Sequence, residues 1–167
     1  MSLQKPWIAA FIGLGSNLDN PVQHINTAQQ AIAELPEVEA IAFSPLYTST
    51  PVGPQDQPDY INAVMQINTR LTAMQLLTKL QQIENQHGRI RTERWGARTL
   101  DLDVLLFDQK TIDQPELKIP HPEMPNRAFV LYPLADIAGG DLQIPGYGVL
   151  RDLLASCPPL GLQRIYP

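Results

Sequence analysis

The first apolar run, WIAAFIGLG from Trp7 to Gly15, reads as a buried strand. Asn20-Pro21 then opens a helix, with asparagine at the N-cap and proline at the first helical position. Val22, Ile25, Ala28, Ile32 and Leu35 keep the helical period, and Pro36 closes it. Residues 38–50 read as extended. Tyr60–Thr69 alternates, placing Ile61, Ala63, Met65 and Ile67 on one face of a strand. The next helix announces itself by a capping box, Thr72 with Gln75, and by a staple pair, Leu71 with Leu76. Leu76, Leu77, Leu80 and Ile83 form its stripe, and Gly88 ends it in a left-handed conformation. A polar loop, Arg89–Arg98, leads into a strand over Thr99–Phe107. Two more helices are expected, one after Asn126 and broken near Pro133, the other over Val149–Ala155. Strands and helices interspersed, with several hairpin-like connections, predict an α+β sandwich with a mostly antiparallel sheet and helices packed on it.

Length narrows this to a single domain over residues 1–167, long enough for one core without covalent staples. A net charge of −5 argues against a general binder of nucleic acid or of acidic membranes. No apolar run approaches the ~20 residues of a membrane span, and no basic segment precedes an apolar signal core. Cys157 is the only cysteine, which excludes an internal disulfide and fits a cytoplasmic location; its residue type predicts a small buried group. The 16 prolines gather around residues 45–58 and 115–133, read as ordered functional loops because apolar segments flank them closely. There is no internal repeat.

The chemistry concentrates in RWGARTLDLDVLLFD, Arg94–Asp108. Asp101 and Asp103 share a strand face, while Leu100, Leu102, Val104 and Leu106 are expected to point the other way into a core. Same-face neighbours stand roughly 6.6 Å apart, a spacing from which two carboxylates can grip hard cations. Mg²⁺ takes one or two protein carboxylates and leaves its other positions to water and phosphate. On spacing alone, two ordinary aspartates on a solvated strand explain the pair equally well. Arg89, Arg91, Arg94 and Arg98 change the balance: four of 12 basic residues in an acidic chain fall within ten positions beside the pair. Guanidinium forks match phosphate oxygens, and carboxylates for Mg²⁺ with arginines for phosphate make up the inventory of phosphoryl transfer. The alternative is a solvated loop paired to nearby acids. GLGSN, Gly13–Asn17, lacks the Lys-Ser/Thr ending of a phosphate loop and reads as a tight strand-to-loop turn with close backbone approach.

Taken together, RWGARTLDLDVLL, GLGSNL, GPQDQPDYINAV, IENQHGRIR and IPHPEMPNRAFVL occur in the order of the landmarks of the 6-hydroxymethyl-7,8-dihydropterin pyrophosphokinases, and the chain resembles that family over about residues 8–155. The resemblance implies a ferredoxin-like α+β fold and transfer of the β,γ-pyrophosphoryl group of ATP to the pterin hydroxymethyl, releasing AMP, in folate biosynthesis. It implies two Mg²⁺ ions on Asp101 and Asp103. Tyr60 and Phe129 would be the aromatic walls of the pterin pocket and Asn62 its hydrogen-bonding amide. Backbone groups around Ser49, Thr50 and Val52 would read the rest of the ring, with Trp95 and Arg98 at the pterin or its hydroxymethyl arm. For ATP it implies Gln81, Glu84, Arg91, Arg94, Arg98, Val104, His121 and Arg127, with Arg91, Arg94 and Arg98 also assisting the transfer. Family members often carry threonine where Ser49 stands. The partners implied are the two small-molecule substrates, with neither nucleic acid nor membrane, and the chain is expected to act as a monomer. His24 and His87 are read as surface or packing residues. Two rival readings are another Mg²⁺-dependent phosphoryl or nucleotidyl transferase and a ferredoxin-like nucleic-acid-binding module; acidity and the lack of an RNP-type aromatic strand weigh against the module.

Overall fold

A computed structural model describes residues 5–17, 20–49, 59–87, 100–159 and 161–165. In chain order these form β1 (Ile8–Ser16), α1 (Pro21–Ala33), β2 (Val38–Phe43), β3 (Tyr47–Ser49), β4 (Tyr60–Thr69), α2 (Ala73–Gln86), β5 (Asp101–Phe107), β6 (Ile112–Gln114), β7 (Leu117–Ile119), α3 (Ala128–Ala138), β8 (Gln143–Ile144), β9 (Gly148–Val149), α4 (Leu150–Ala155) and β10 (Leu162–Arg164). The main sheet runs β10-β3-β4-β1-β5, with β2 also on β4, and every pairing in it is antiparallel. The β1-α1-β2-β4-α2-β5 succession, with β4 and β1 central, is the ferredoxin-like arrangement expected from the sequence. The length of β4 makes it possible: one flank pairs β1 from Ile61 to Thr69, while the other takes β3 at Tyr60–Asn62 and β2 at Met65–Thr69. Between those two short strands Ser44 fills the gap. Its N–H donates to the Val64 carbonyl at 2.9 Å, and its Oγ accepts the Val64 N–H at 2.9 Å.

Each face of the sheet carries helices. On one face Ile61, Ala63, Met65 and Ile67 of β4 meet Ile25, Ala28 and Ile32 of α1 and Leu76, Leu80 and Ile83 of α2, all buried. Truncating one of these leucines to alanine typically costs ~2–5 kcal/mol. On the other face Phe11, Val64, Leu105 and Leu106 meet Val130, Leu131 and Leu134 of α3 and Leu150 of α4. The capping box of α2 forms as its sequence predicts: Gln75 N–H donates to Thr72 Oγ1 at 3.1 Å and Thr72 N–H to Gln75 Oε1 at 2.9 Å. Such a cap contributes about 1 kcal/mol. Cys157 is free and buried, and burial raises its thiol pKa.

Four local expectations change. Asn20 holds the N-cap position of α1, but in a left-handed conformation (φ 66°) and without a side-chain cap bond, and Val22 in the first turn is exposed. Helix α3 is not broken at Pro133 but runs through it. Pro133 removes one intrahelical bond, to Phe129 only one turn into the helix, while its ring is buried, so packing offsets the loss. Leu106 does not share the face of Leu102 and Val104. The β1–β5 register skips Leu105, since Ile12 faces Val104 and Phe11 faces Leu106. That bulge turns Leu105 and Leu106 together into the α3 side of the core, and Phe107 back to the α1–α2 side. The GLGSN segment is not a turn through Ser16: Gly13–Ser16 lie inside β1, one residue past the strand expected over Trp7–Gly15.

The C-terminal strand is tied in by a polar triad. Tyr47 of β3 donates its hydroxyl to Asp136 Oδ2 of α3, and Arg164 of β10 donates to Asp136 Oδ1 at 2.8 Å and to the Tyr47 hydroxyl at 3.2 Å. Burial first, and the Asp136 carboxylate second, raise the Tyr47 pKa, so the phenol stays a donor. A second polar pair joins α1 to the end of α2, where His24 Nδ1 and His87 Nδ1 lie 2.7 Å apart. Burial, then the neighbouring His24, lowers the His87 pKa. The folded chain therefore holds His87 neutral, while the unfolded ring protonates near the ordinary value of ~6.5. The resulting stability is complete above that value and is lost as pH falls from it towards the lowered folded pKa. Thermal melts from pH 7.5 to 5 should show Tm falling on the acid side, and His87→Gln should flatten that fall; an unchanged acid slope in the variant would refute the assignment.

Candidate active site

Strand register places the site residues on one face of the sheet. Gly15 of β1 faces Asn62 of β4 on one side and Asp101 of β5 on the other. Gly13 likewise lies between Val64 and Asp103. Asn62, Gly15 and Asp101 thus form a row across three strands, about 10 Å from first to last at ~4.8 Å per strand. The middle of the row has no side chain. A Cβ on Gly15 would stand 3.3 Å from Asn62 Oδ1, and one on Gly13 would stand 3.3 Å from Leu105 Cδ2. Gly15, half-buried, therefore leaves an open floor between the Asn62 amide and the Asp101 carboxylate, while Gly13 is buried beneath the Leu105 side chain. Alternate glycines in an otherwise apolar strand were the signal for it, legible only once β1 is known to be central.

The walls rise from this floor. Tyr60 shares its strand face with Asn62 and is half-buried. Asn62 is 4% exposed and donates from Nδ2 to Ser49 Oγ at 2.7 Å. Ser49 thus contributes its side chain as well as the backbone expected of it. Phe129, half-buried, stands at the start of α3 over the same face, with the Arg127 guanidinium 5.5 Å from its ring centre. The carboxylates Asp101 and Asp103 are half-buried. His121 accepts the Glu123 N–H at Nδ1 (3.2 Å), which puts the proton of its neutral ring on Nε2, 4.0 Å from Asp103 Oδ1.

Among the described residues β5 ends the sheet, so its outer edge needs other partners. The His121 N–H donates to the carbonyl of the bulged Leu105 at 3.0 Å. The Leu102 N–H donates to Glu84 Oε2 of α2 at 2.9 Å. Glu84, expected at the nucleotide, is thereby turned into the fold, with 4% of its surface exposed. Gln81, one turn earlier on α2, is exposed. The Val104 side chain packs in the α1–α2 core, leaving its backbone for any ligand. Thr50, Val52, Arg91, Arg94, Trp95 and Arg98 lie outside the described residues, as does Gly88. Among the described residues no group of three or more His, Cys, Asp and Glu side chains is placed to enclose a metal ion. A cation held by Asp101 and Asp103 would complete its shell with water and phosphate oxygens, a donor set that fits Mg²⁺.

The described residues thus bring a carboxylate pair, a buried amide and two half-buried aromatic rings to a ferredoxin-like sheet, around the bare Gly15. The family model for 7,8-dihydro-6-hydroxymethylpterin-pyrophosphokinase matches residues 11–139, and the chain belongs to that family. It is 50% identical over 155 residues to the 2-amino-4-hydroxy-6-hydroxymethyldihydropteridine pyrophosphokinase of Pseudomonas aeruginosa, covering 93% of this chain and 95% of that one. It is 42% identical over 128 residues to the enzyme of that name from Bacillus subtilis, covering 77% of each chain. The fold is shared with the Plasmodium falciparum HPPK-DHPS structure solved with pterin and p-hydroxybenzoate, at a TM-score of 0.76 and 13% identity. That match takes in 99% of this chain but 48% of the Plasmodium chain. The protein is accordingly a pyrophosphokinase of folate biosynthesis.

Proposed function

We propose that this chain transfers the β,γ-pyrophosphoryl group of ATP to the hydroxymethyl of 6-hydroxymethyl-7,8-dihydropterin, with the pterin over Asn62 and Gly15 and the phosphates at Asp101 and Asp103. The observation that carries this reading is the Asn62–Gly15–Asp101 row, which sets an amide for a heterocycle edge and a metal-binding carboxylate one bare strand apart. Tyr60 and Phe129 stack on the ring, and Ser49, Thr50, Val52, Trp95 and Arg98 complete its pocket. Gln81, the Val104 backbone, His121 and Arg127 hold the nucleotide. The pterin oxygen attacks the β-phosphorus in line, a new O–P bond forms as the α,β-bridging bond breaks, AMP leaves and the hydroxyl proton passes to solvent. Two Mg²⁺ ions, when bound, supply charge neutralisation at the transferring phosphates. Arg91, Arg94 and Arg98 stabilise the charge that builds there, and His121 Nε2 offers a proton-bearing donor beside Asp103. The chain works in the cytoplasm as a monomer.

Product analysis decides the matter. Wild-type protein with ATP, Mg²⁺ and the pterin should release AMP and the pterin diphosphate in equal amounts. ADP would mark an ordinary kinase, and no turnover a binding module. The pocket assignment has its own check. Phe129→Ala and Tyr60→Ala should each weaken pterin binding about tenfold, ~1.4 kcal/mol, because a stacking surface and its buried area are lost together. Affinity for an ATP analogue should stay within about twofold. Calorimetry showing both affinities falling alike would make these rings structural.

A further inference from the structure

We infer that Glu84 is a positioning residue for the carboxylate pair, acting through the backbone of β5 rather than on the nucleotide; the inference rests on the metal-platform reading of Asp101 and Asp103. Leu102 is the residue between the two aspartates, and its side chain is buried in the α1–α2 core. In the antiparallel ladder with β1, the N–H groups of Asp101 and Asp103 face Gly15 and Gly13, so the Leu102 N–H faces outward at the sheet edge. No strand pairs that edge among the described residues. Glu84 Oε2 accepts the Leu102 N–H at 2.9 Å from a carboxylate that is 4% exposed. Buried acids are rare unless a specific partner holds them. An apolar residue would pack in the α2 stripe beside Ile83 but would leave this amide without the acceptor that Glu84 gives it. A charge-assisted bond to it fixes the height of the backbone between the two carboxylates, and with it their separation and tilt. The His121 N–H binds the Leu105 carbonyl two residues beyond the pair, so β5 is held from outside the sheet both within the carboxylate pair and just past it. This is an outer-sphere contact of the kind that orients metal ligands.

The test compares Glu84→Leu, which keeps volume but has no acceptor, with Glu84→Gln, which keeps an oxygen for the Leu102 amide. Mn²⁺ is titrated calorimetrically in the presence of α,β-methylene-ATP, and exchange of the Leu102 amide is followed by NMR. Glu84→Leu should raise the Mn²⁺ midpoint at least about fivefold and speed Leu102 exchange at least about tenfold, with pterin affinity within about twofold. Glu84→Gln should remain within about twofold of wild type in all three. A folded Glu84→Leu protein with an unchanged Mn²⁺ midpoint would overturn the inference, and so would a Glu84→Gln protein as impaired as Glu84→Leu. Should Glu84→Leu fail to fold, wild type and Glu84→Gln decide: a Leu102 amide that exchanges like an unprotected edge amide in wild type overturns the proposal. Failure of the underlying reading shows separately, as a wild-type protein that forms no AMP.

Discussion

Asp101→Ala and Asp103→Ala are each expected to lower kcat at least about a hundredfold, ~2.7 kcal/mol of lost transition-state stabilisation, in proteins that remain folded. Both carboxylates are half-buried, and the opposite face of β5, carrying Leu102 and Val104, supplies the packing. Removing either side chain therefore leaves the core and the β1–β5 ladder as they are. What is lost is one of two hard oxygen ligands, and a divalent cation on the remaining one is held too weakly to draw the transferring phosphates into line. Steady-state rates with Mg²⁺ varied over several decades, beside thermal melts, make the measurement. A folded variant that keeps more than about a tenth of the wild-type kcat at any Mg²⁺ concentration would remove the metal role from that aspartate.

Gly15→Val should be nearly as damaging, by a different route. Valine suits a strand, and Gly15 has no left-handed backbone to lose, so β1 should still form. The new Cβ, however, would stand 3.3 Å from Asn62 Oδ1, and the two γ-methyls would occupy the floor between the amide and Asp101. The pterin would then lose both its seat and its polar reader. Affinity for the pterin should fall at least about thirtyfold, ~2 kcal/mol, while Mn²⁺ binding with an ATP analogue changes far less. Pterin affinity within about threefold of wild type would show that the heterocycle does not lie over β1.

Alternation placed Ile61, Ala63, Met65 and Ile67 on one face of β4, and the Thr72–Gln75 box placed the start of α2. Both are local rules, satisfied within a few residues, so the sequence by itself settles them. The same is true of the shared face of Asp101 and Asp103, and landmark motifs in the right order were enough to name the family. Leu106 shows the limit. Its face follows from a bulge at Leu105 that the register against Phe11 and Ile12 imposes, and strand register is a property of two distant segments. Pro133 stays helical because its ring is buried, a gain that no local propensity contains. Gly13 and Gly15 carry the features of a turn when read along the chain. Gly15 becomes the floor of a site only because β1 lies between β4 and β5, with Asn62 and Asp101 drawn up on either side. Glu84 is the sharpest case, since nothing within α2 indicates that a carboxylate must meet the Leu102 amide. That contact exists because, among the described residues, no strand pairs the outer edge of β5, and only the tertiary structure decides which strand is left at the edge.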